Sequence, residues 1–427
     1  MKTTGRTFRW FFVFIWQGEA RSKCLYLQLV SQTMLNRRIL RVKAFQNLYA
    51  YEQCKGSNFN LAKDYIKESF LPDLNSMEVQ DKAALSRDAQ SAIQLFEQSV
   101  DSKSQLQASD GSPKIKKVVL EAINTFHSSN KKDQDFLLKN MIASAERIPQ
   151  LYLLAIELLQ AFSKQAGTEI EKKKKLQAGN PVAFANELNL TNNRVLANLR
   201  ESDIYRAAVA KNNANLDDLE LEIREWFRDY IKPSEEYQAY IKLSNPSVEE
   251  DLHAADELLK KILFKNDVIL NYFSEKDLNW TENKSVVRSL ASKVLKNAAG
   301  LGEDSDGQMP EIAMNWDEDK EFFQNIFNFT IENDRENKAL ISQKTKNWDI
   351  DRLAFTDKVI ISMAITEMQN FPSIPVKVSI NEYIDISKTY STPKSKQFVN
   401  GLLDVMAKEL TESGKIRKSG RGLLDNK

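Results

Sequence analysis

Residues 374–406 read IPVKVSINEYIDISKTYSTPKSKQFVNGLLDVM. Ile380, Tyr383, Ile384 and Ser387 recur three and four apart, which predicts one face of a helix. Ser379 with Glu382 three residues later has the spacing of a capping box, serine capping the start and glutamate reaching back. Ser391-Thr392-Pro393 breaks that helix, and the next is expected to carry proline in its first turn. Val399, Leu402, Leu403 and Met406 then repeat at helical spacing, yet Asn400-Gly401 sits inside the run. Glycine in a helix interior costs about 1 kcal/mol relative to alanine. Its use here predicts close approach of a neighbouring helix or a ligand to the backbone. Phe398 falls at the edge of the apolar stripe, beside Lys394, Lys396 and Gln397, and is either core or a platform for stacking.

The same period runs outward through the chain. Asn36 is a natural N-cap for NRRILRVKAFQNLYAYEQ, residues 36–53. The middle of this segment (Ile39, Leu40, Val42, Phe45, Leu48, Tyr49) is apolar nearly all round and is expected to be buried. Its head carries Arg37, Arg38, Arg41 and Lys43 with no acid among them, and is expected to project from the core. Cations there oppose the helix dipole, so a basic head needs a compensating reason. A separate helical stretch follows from Phe59 to Phe70, stopped by Pro72, and another over 76–108. RIPQLYLLAIELLQAFSKQ, residues 147–165, reads as a core helix. The four lysines 172–175 beyond it are a solvated helix end or a nucleic-acid contact. GLGEDSDGQMP, residues 300–310, is the clearest loop, and two helical patterns, 318–333 and 356–371, follow. ELLKKIL stands before Trp280 much as EFFQNIF stands before Trp348, a degenerate duplication or a coincidence of helix-rich sequence.

With 427 residues, net charge +1, 28% charged residues and only 13 glycines and 10 prolines, the chain is expected to be all-α with two or three domains. Cys24 and Cys54 form no disulfide framework or metal cluster, and His127 and His253 read as surface residues. Metal and cofactor are therefore not expected, and the compartment is expected to be reducing, hence cytoplasmic. No apolar run reaches the length of about 20 that spans a bilayer. Residues 1–33, opening MKTTGRTFRWFFVFIWQGEA, superficially resemble an export signal. They are read instead as a non-native or disordered extension, with Met34 as the start.

Two motifs give the chain a resemblance. The run NWDIDRLAFTDKVIISMAITEM, then PVKVSINE, then KQFVNGLLD resembles the NusB family of bacterial transcription antitermination factors, as does the arginine-rich helix ending in AFQNLY. The resemblance covers residues 34–70 and 315–412. Residues 71–314 form a helical insertion of the kind in long NusB-type proteins of the Bacteroidetes, and 413–427 are expected to be a basic disordered tail. It implies antiparallel helical bundles that bind boxA-type single-stranded RNA. It also implies a partner, NusE, the ribosomal small-subunit protein, within an RNA polymerase antitermination complex reading through terminators in ribosomal RNA operons.

Carried over position by position, the RNA contacts would be Arg37, Arg38 and Arg41 with Lys394, Lys396, Gln397, Phe398 and Asn400, and the NusE contacts Tyr49 and Asp357. Each has a plainer structural reading: solvated charge for the arginines, core for Phe398 and Tyr49, a dipole-stabilising first-turn acid for Asp357. Family members often carry acids where this chain has Pro393-Lys394, a departure that favours RNA binding but not identical base preference. An enzyme is not expected. NusB-like domains also occur fused to ribosomal RNA methyltransferases, but Gly300-Leu301-Gly302 follows a helix rather than a strand, and neither cysteine has a catalytic context. The alternatives are an RNA-binding module in ribosomal RNA modification, or a protein-only scaffold working through the insertion.

Overall fold

A computed structural model describes residues 35–75, 79–101, 112–176, 186–216, 219–302, 308–344 and 354–425. The expectations for residues 1–33 and for Trp348 lie outside these. Every regular element among the described residues is helical, so the fold class is all-α as expected. None of these helices is long and apolar enough to cross a membrane.

The chain divides into two compact units, residues 35–39 with 143–319 and residues 40–142 with 320–427, the described parts of each being meant. In chain order α1 is Arg37–Ser69, α2 Lys82–Ser99 and α3 Pro113–Glu146. From Leu40 to Ile142 these belong to the second unit; the first unit holds α4 (Ile148–Leu176), α5 (Arg194–Glu201), α6 (Asp203–Lys211), α7 (Glu220–Trp226), α8 (Glu235–Tyr240), α9 (Val248–Glu257), α10 (Asp267–Lys276) and α11 (Trp280–Ala298). α12 (Trp316–Glu332) opens there and runs into the second unit, which ends with α13 (Asp334–Lys344), α14 (Phe355–Asn370), α15 (Val376–Tyr390) and α16 (Ser395–Glu412).

In the first unit α4 is buried nearly all round from Ile148 to Phe162, as its apolar run requires, and α11 packs along it. Tyr205 donates to the half-buried Glu157 carboxylate at 2.5 Å, beside a cavity of about 320 Å³. Burial pushes the Glu157 carboxyl up, and the tyrosine's hydrogen bond opposes it.

In the second unit Ala62 and Ile66 of α1, with Phe70 just beyond its end, meet Phe96 of α2 and Val119, Ala122 and Phe126 of α3 in one core. The expectation of two helices across residues 36–70 gives way to one continuous α1 of 33 residues. Gly56 does not break it, because anchors flank the glycine. Lys55 pairs with Asp334 at 2.9 Å, and the Asn58 amide donates to Asn130 and Asp133 at 2.9 and 2.7 Å. These contacts outweigh a glycine penalty of about 1 kcal/mol.

Three further expectations are corrected. Ser379 caps nothing: α15 starts three residues earlier, after Pro375, and Ser379 is fully buried with its hydroxyl given to Glu367. Pro393 lies in the turn before α16 rather than in its first turn. Residues 413–425 are not a disordered tail. Ile416 is buried, the Ser419 amide donates to the Pro372 carbonyl, and Lys418 donates to the Phe371 carbonyl. A short 3-10 segment, Gly420–Asp425, completes the fold-back, and a side chain at Gly422 would collide with the Pro372 carbonyl.

Candidate nucleic-acid interface

α14 is the pillar on which the second unit's surface is built, with every side chain from Val359 to Met368 buried. At its start the buried Asp357 carboxylate accepts a hydrogen bond of 2.7 Å from the Ser395 hydroxyl. Ser391 and Thr392 lie 3.0 and 2.7 Å from that hydroxyl. This cluster fixes the first turn of α16. Val399, Leu403 and Met406 then point inward, leaving Lys396, Gln397 and Asn400 exposed. Facing them, Asn381, Ile384, Asp385 and Lys388 of α15 complete an open groove of about 530 Å³. Lys388 holds Asp385 at 2.5 Å, and the Asn400 amide donates to Asp404 at 3.3 Å. Phe398 is half-buried and Lys394 exposed. Among the described residues no helix closes on Gly401, where an added Cβ would meet no atom within 4 Å, so the expected close approach of a neighbouring helix is corrected.

The basic head of α1 behaves unlike a uniform solvated end. Arg41 is 4% exposed and Lys43 fully buried, which corrects the expectation that both project. The Arg41 Nε and Nη2 donate to the two Glu367 oxygens at 2.7 and 2.8 Å, and the guanidinium lies 5.1 Å from the Phe322 ring centre. Glu367 is fully buried and also accepts from Ser379 at 2.7 Å and Tyr383 at 2.9 Å. Burial alone would lower the Arg41 pKa; the Glu367 charge reverses this and holds the guanidinium above its usual value. Burial, then Glu367's charge, pushes the Tyr383 hydroxyl well up. In this arrangement Arg41 ties α1 to α14 and α15 and is withdrawn from ligands.

Arg37 and Arg38 remain accessible. Arg38 is exposed, whereas Arg37 is partly covered: its Nε donates to Asp319 at 2.9 Å and its Nη2 to Glu318. Arg37 belongs to the first unit, and the groove residues to the second. Tyr49 is 37% exposed and meets the equally exposed Phe355 edge to face, 5.1 Å between ring centres. Asp357, at 3% exposure, is no surface residue; its place in a protein-binding face is corrected to that of an anchor for α16.

Sequence reasoning missed Asn381, Asp385 and Lys388 as groove residues, although their spacing already placed them on one polar face of α15. It also missed Glu367, whose position in an apolar run signalled a buried charge needing a partner.

Helices that bury a charged network and leave a polar groove between α15 and α16 define an all-helical, groove-bearing protein. The NusB family profile matches residues 285–408, a stretch that holds the groove residues and Glu367. The chain is 40% identical over 143 residues to the transcription antitermination protein NusB of Chloroherpeton thalassium, covering 33% of this chain and 68% of that relative. Over 105 residues it is 39% identical to the NusB of Salinibacter ruber, covering 25% of this chain and 66% of the relative. Over 93 residues it is 34% identical to that of Natranaerobius thermophilus, covering 22% and 67%. The chain belongs to the NusB family. No solved structure matches it.

Proposed function

We propose that this chain is a non-catalytic, cytoplasmic transcription antitermination factor. In this reading it binds boxA-type single-stranded RNA together with NusE, as part of an RNA polymerase antitermination complex. The observation that carries the reading is the groove between α15 and α16, on which Lys396, Gln397 and Asn400 converge with Asn381 and Lys388. The three amides offer donors and acceptors side by side, which suits the edge of an unpaired base. Lys388, Lys396 and Lys394 neutralise phosphate, and Phe398 supplies an aromatic edge for stacking. Arg38 and Arg37 are the further phosphate contacts, and Arg41 is a positioning residue. Tyr49 with Phe355 forms the face for NusE. The relatives' shared name, transcription antitermination protein NusB, supports the same reading.

The test is a titration of the full chain against boxA-type RNA, alone and with NusE. Phe398→Ala is expected to weaken binding roughly 5- to 150-fold, since stacking of one base contributes about 1–3 kcal/mol, and Lys396→Ala is expected to weaken it and flatten its salt dependence by removing a phosphate contact. Wild-type affinity in both variants would remove the groove from the proposal.

A further inference from the structure

We propose that Glu318 and Asp319 stand in for phosphate on Arg37, so that these two acids, rather than the arginine alone, set which RNA the basic end of α1 accepts. The inference rests on the RNA-binding reading above. The Leu35 amide donates to the Ile312 carbonyl at 2.7 Å, which ties the approach to α1 to the segment leading into α12. Asn315 caps α12 by accepting from the Glu318 amide at 3.2 Å, and the first turn so formed carries Asp317, Glu318 and Asp319. Acids there are stabilised by the helix dipole, whereas arginines in the first turn of α1 are opposed by theirs. The two helix ends compensate one another through Arg37. One acid takes its Nε and the other its Nη2, so the guanidinium fork is filled as two oxygens of a phosphate would fill it.

The pair is nevertheless displaceable. The Glu318 side chain is 56% exposed and that of Arg37 31%, while Asp319, at 17%, is the better held partner. Ion pairs this accessible contribute little to stability, so a phosphate delivered by an otherwise well-fitted RNA can replace them. One that is merely anionic must compete against two carboxylates already in place. Discrimination of this kind comes from a repulsive element facing the wrong ligand.

The exchange also has an ionic signature. Each phosphate neutralised on a single strand releases about 0.7 of a bound cation. Where Arg37 leaves its acids to meet that phosphate, the freed carboxylates recruit cations in turn, and the net release from this contact is small. Neutralising the acids removes the recapture.

The experiment measures binding of a boxA-type RNA and of an unrelated single strand across a salt series. It compares wild type, Glu318→Gln, and Glu318→Gln with Asp319→Asn, each also in an Arg37→Ala background. Thermal unfolding of every variant establishes that it is folded, and Glu318→Gln keeps the test alive should the double variant unfold. The acid-neutralised protein is expected to bind the unrelated strand roughly fivefold more tightly at low salt. Its log–log salt slope is expected to steepen by about 0.7. Neither change is expected once Arg37 is alanine. Equal gains with and without Arg37 would reduce the effect to net charge and overturn the proposal. So would unchanged binding by acid variants of a protein whose RNA affinity still depends on Lys396 and Phe398, which leaves the groove reading standing. Absence of RNA binding by every form would overturn both.

Discussion

Arg41 shows how far a side chain's role depends on its neighbours. Four donors, from Arg41, Ser379 and Tyr383, converge on the buried Glu367 carboxylate, so each charge is paired and its remaining lone pairs are used. Removing one member leaves a carboxylate in a dry interior. Arg41→Ala is therefore expected to lower unfolding free energy by about 3–5 kcal/mol in urea denaturation, whereas Arg38→Ala, at an exposed position, should change it by less than about 0.5 kcal/mol. Arg41→Lys should recover only part of the loss, because an ammonium cannot bridge both oxygens. Equal, small effects at both arginines would contradict the buried assignment. Glu157 makes a pH argument of the opposite kind. Its folded pKa is raised by burial, so the folded state holds the proton more tightly than the unfolded chain. Stability from this site is full below the usual carboxylate pKa and falls as pH rises through the raised value. Glu157→Gln keeps an acceptor for Tyr205 without the charge, and should raise the melting temperature at neutral pH while changing little in acid. A gain of the same size at both pH values would exclude titration of Glu157 as the cause.

At the scale of elements, α16 carries the sharpest test. Gly401 is exposed, and a methyl group there would meet no neighbour within 4 Å among the described residues. Gly401→Ala should then stabilise the protein by about 1 kcal/mol through helix propensity alone. RNA affinity should fall at the same time if the bare backbone is where the ligand rests, a combination that thermal unfolding and RNA titration read separately. Loss of stability would mean that the glycine answers to packing instead. The periodicity of α14, α15 and α16 was legible because each buries a continuous face, and that pattern survives in a linear string. Their starts were less so. Ser379 and Glu382 have capping-box spacing, yet the helix begins earlier because Ser379 finds a stronger partner in buried Glu367. The expected second helix from Phe59 is continuous with the first, α1 running through Gly56 while Lys55 and Asn58 anchor it to residues more than 70 positions away.

For the whole molecule, the inserted residues do not behave as one block. Those up to Ile142 share a unit with the C-terminal helices, and those from Ala143 onward fall in the other, which comprises residues 143–319 and 35–39. Each unit has its own core. Phe96→Ala, which empties a fully buried ring site between α1, α2 and α3, is expected to cost about 3–5 kcal/mol. Amide exchange should accelerate in α2 and α3 up to Ile142 while protection in α4 and α11 is kept; uniform loss of protection would mean a single cooperative unit.

By itself the sequence determined the helical class, the order of the principal helices, the apolar faces of α4, α14 and α16, and the family resemblance. All of these rest on local spacing or on motifs that a linear string preserves. Only the tertiary structure decided which of the charged residues face solvent. Arg37, Arg38, Arg41 and Asp357 read alike as surface ions. Arg38 stays exposed, and what separates the other three is the partner brought from a distant segment: a buried carboxylate for Arg41, a serine hydroxyl for Asp357 and an exposed acidic turn for Arg37. Charge burial is decided by whether such a partner repays the lost hydration, and no spacing along the chain records that.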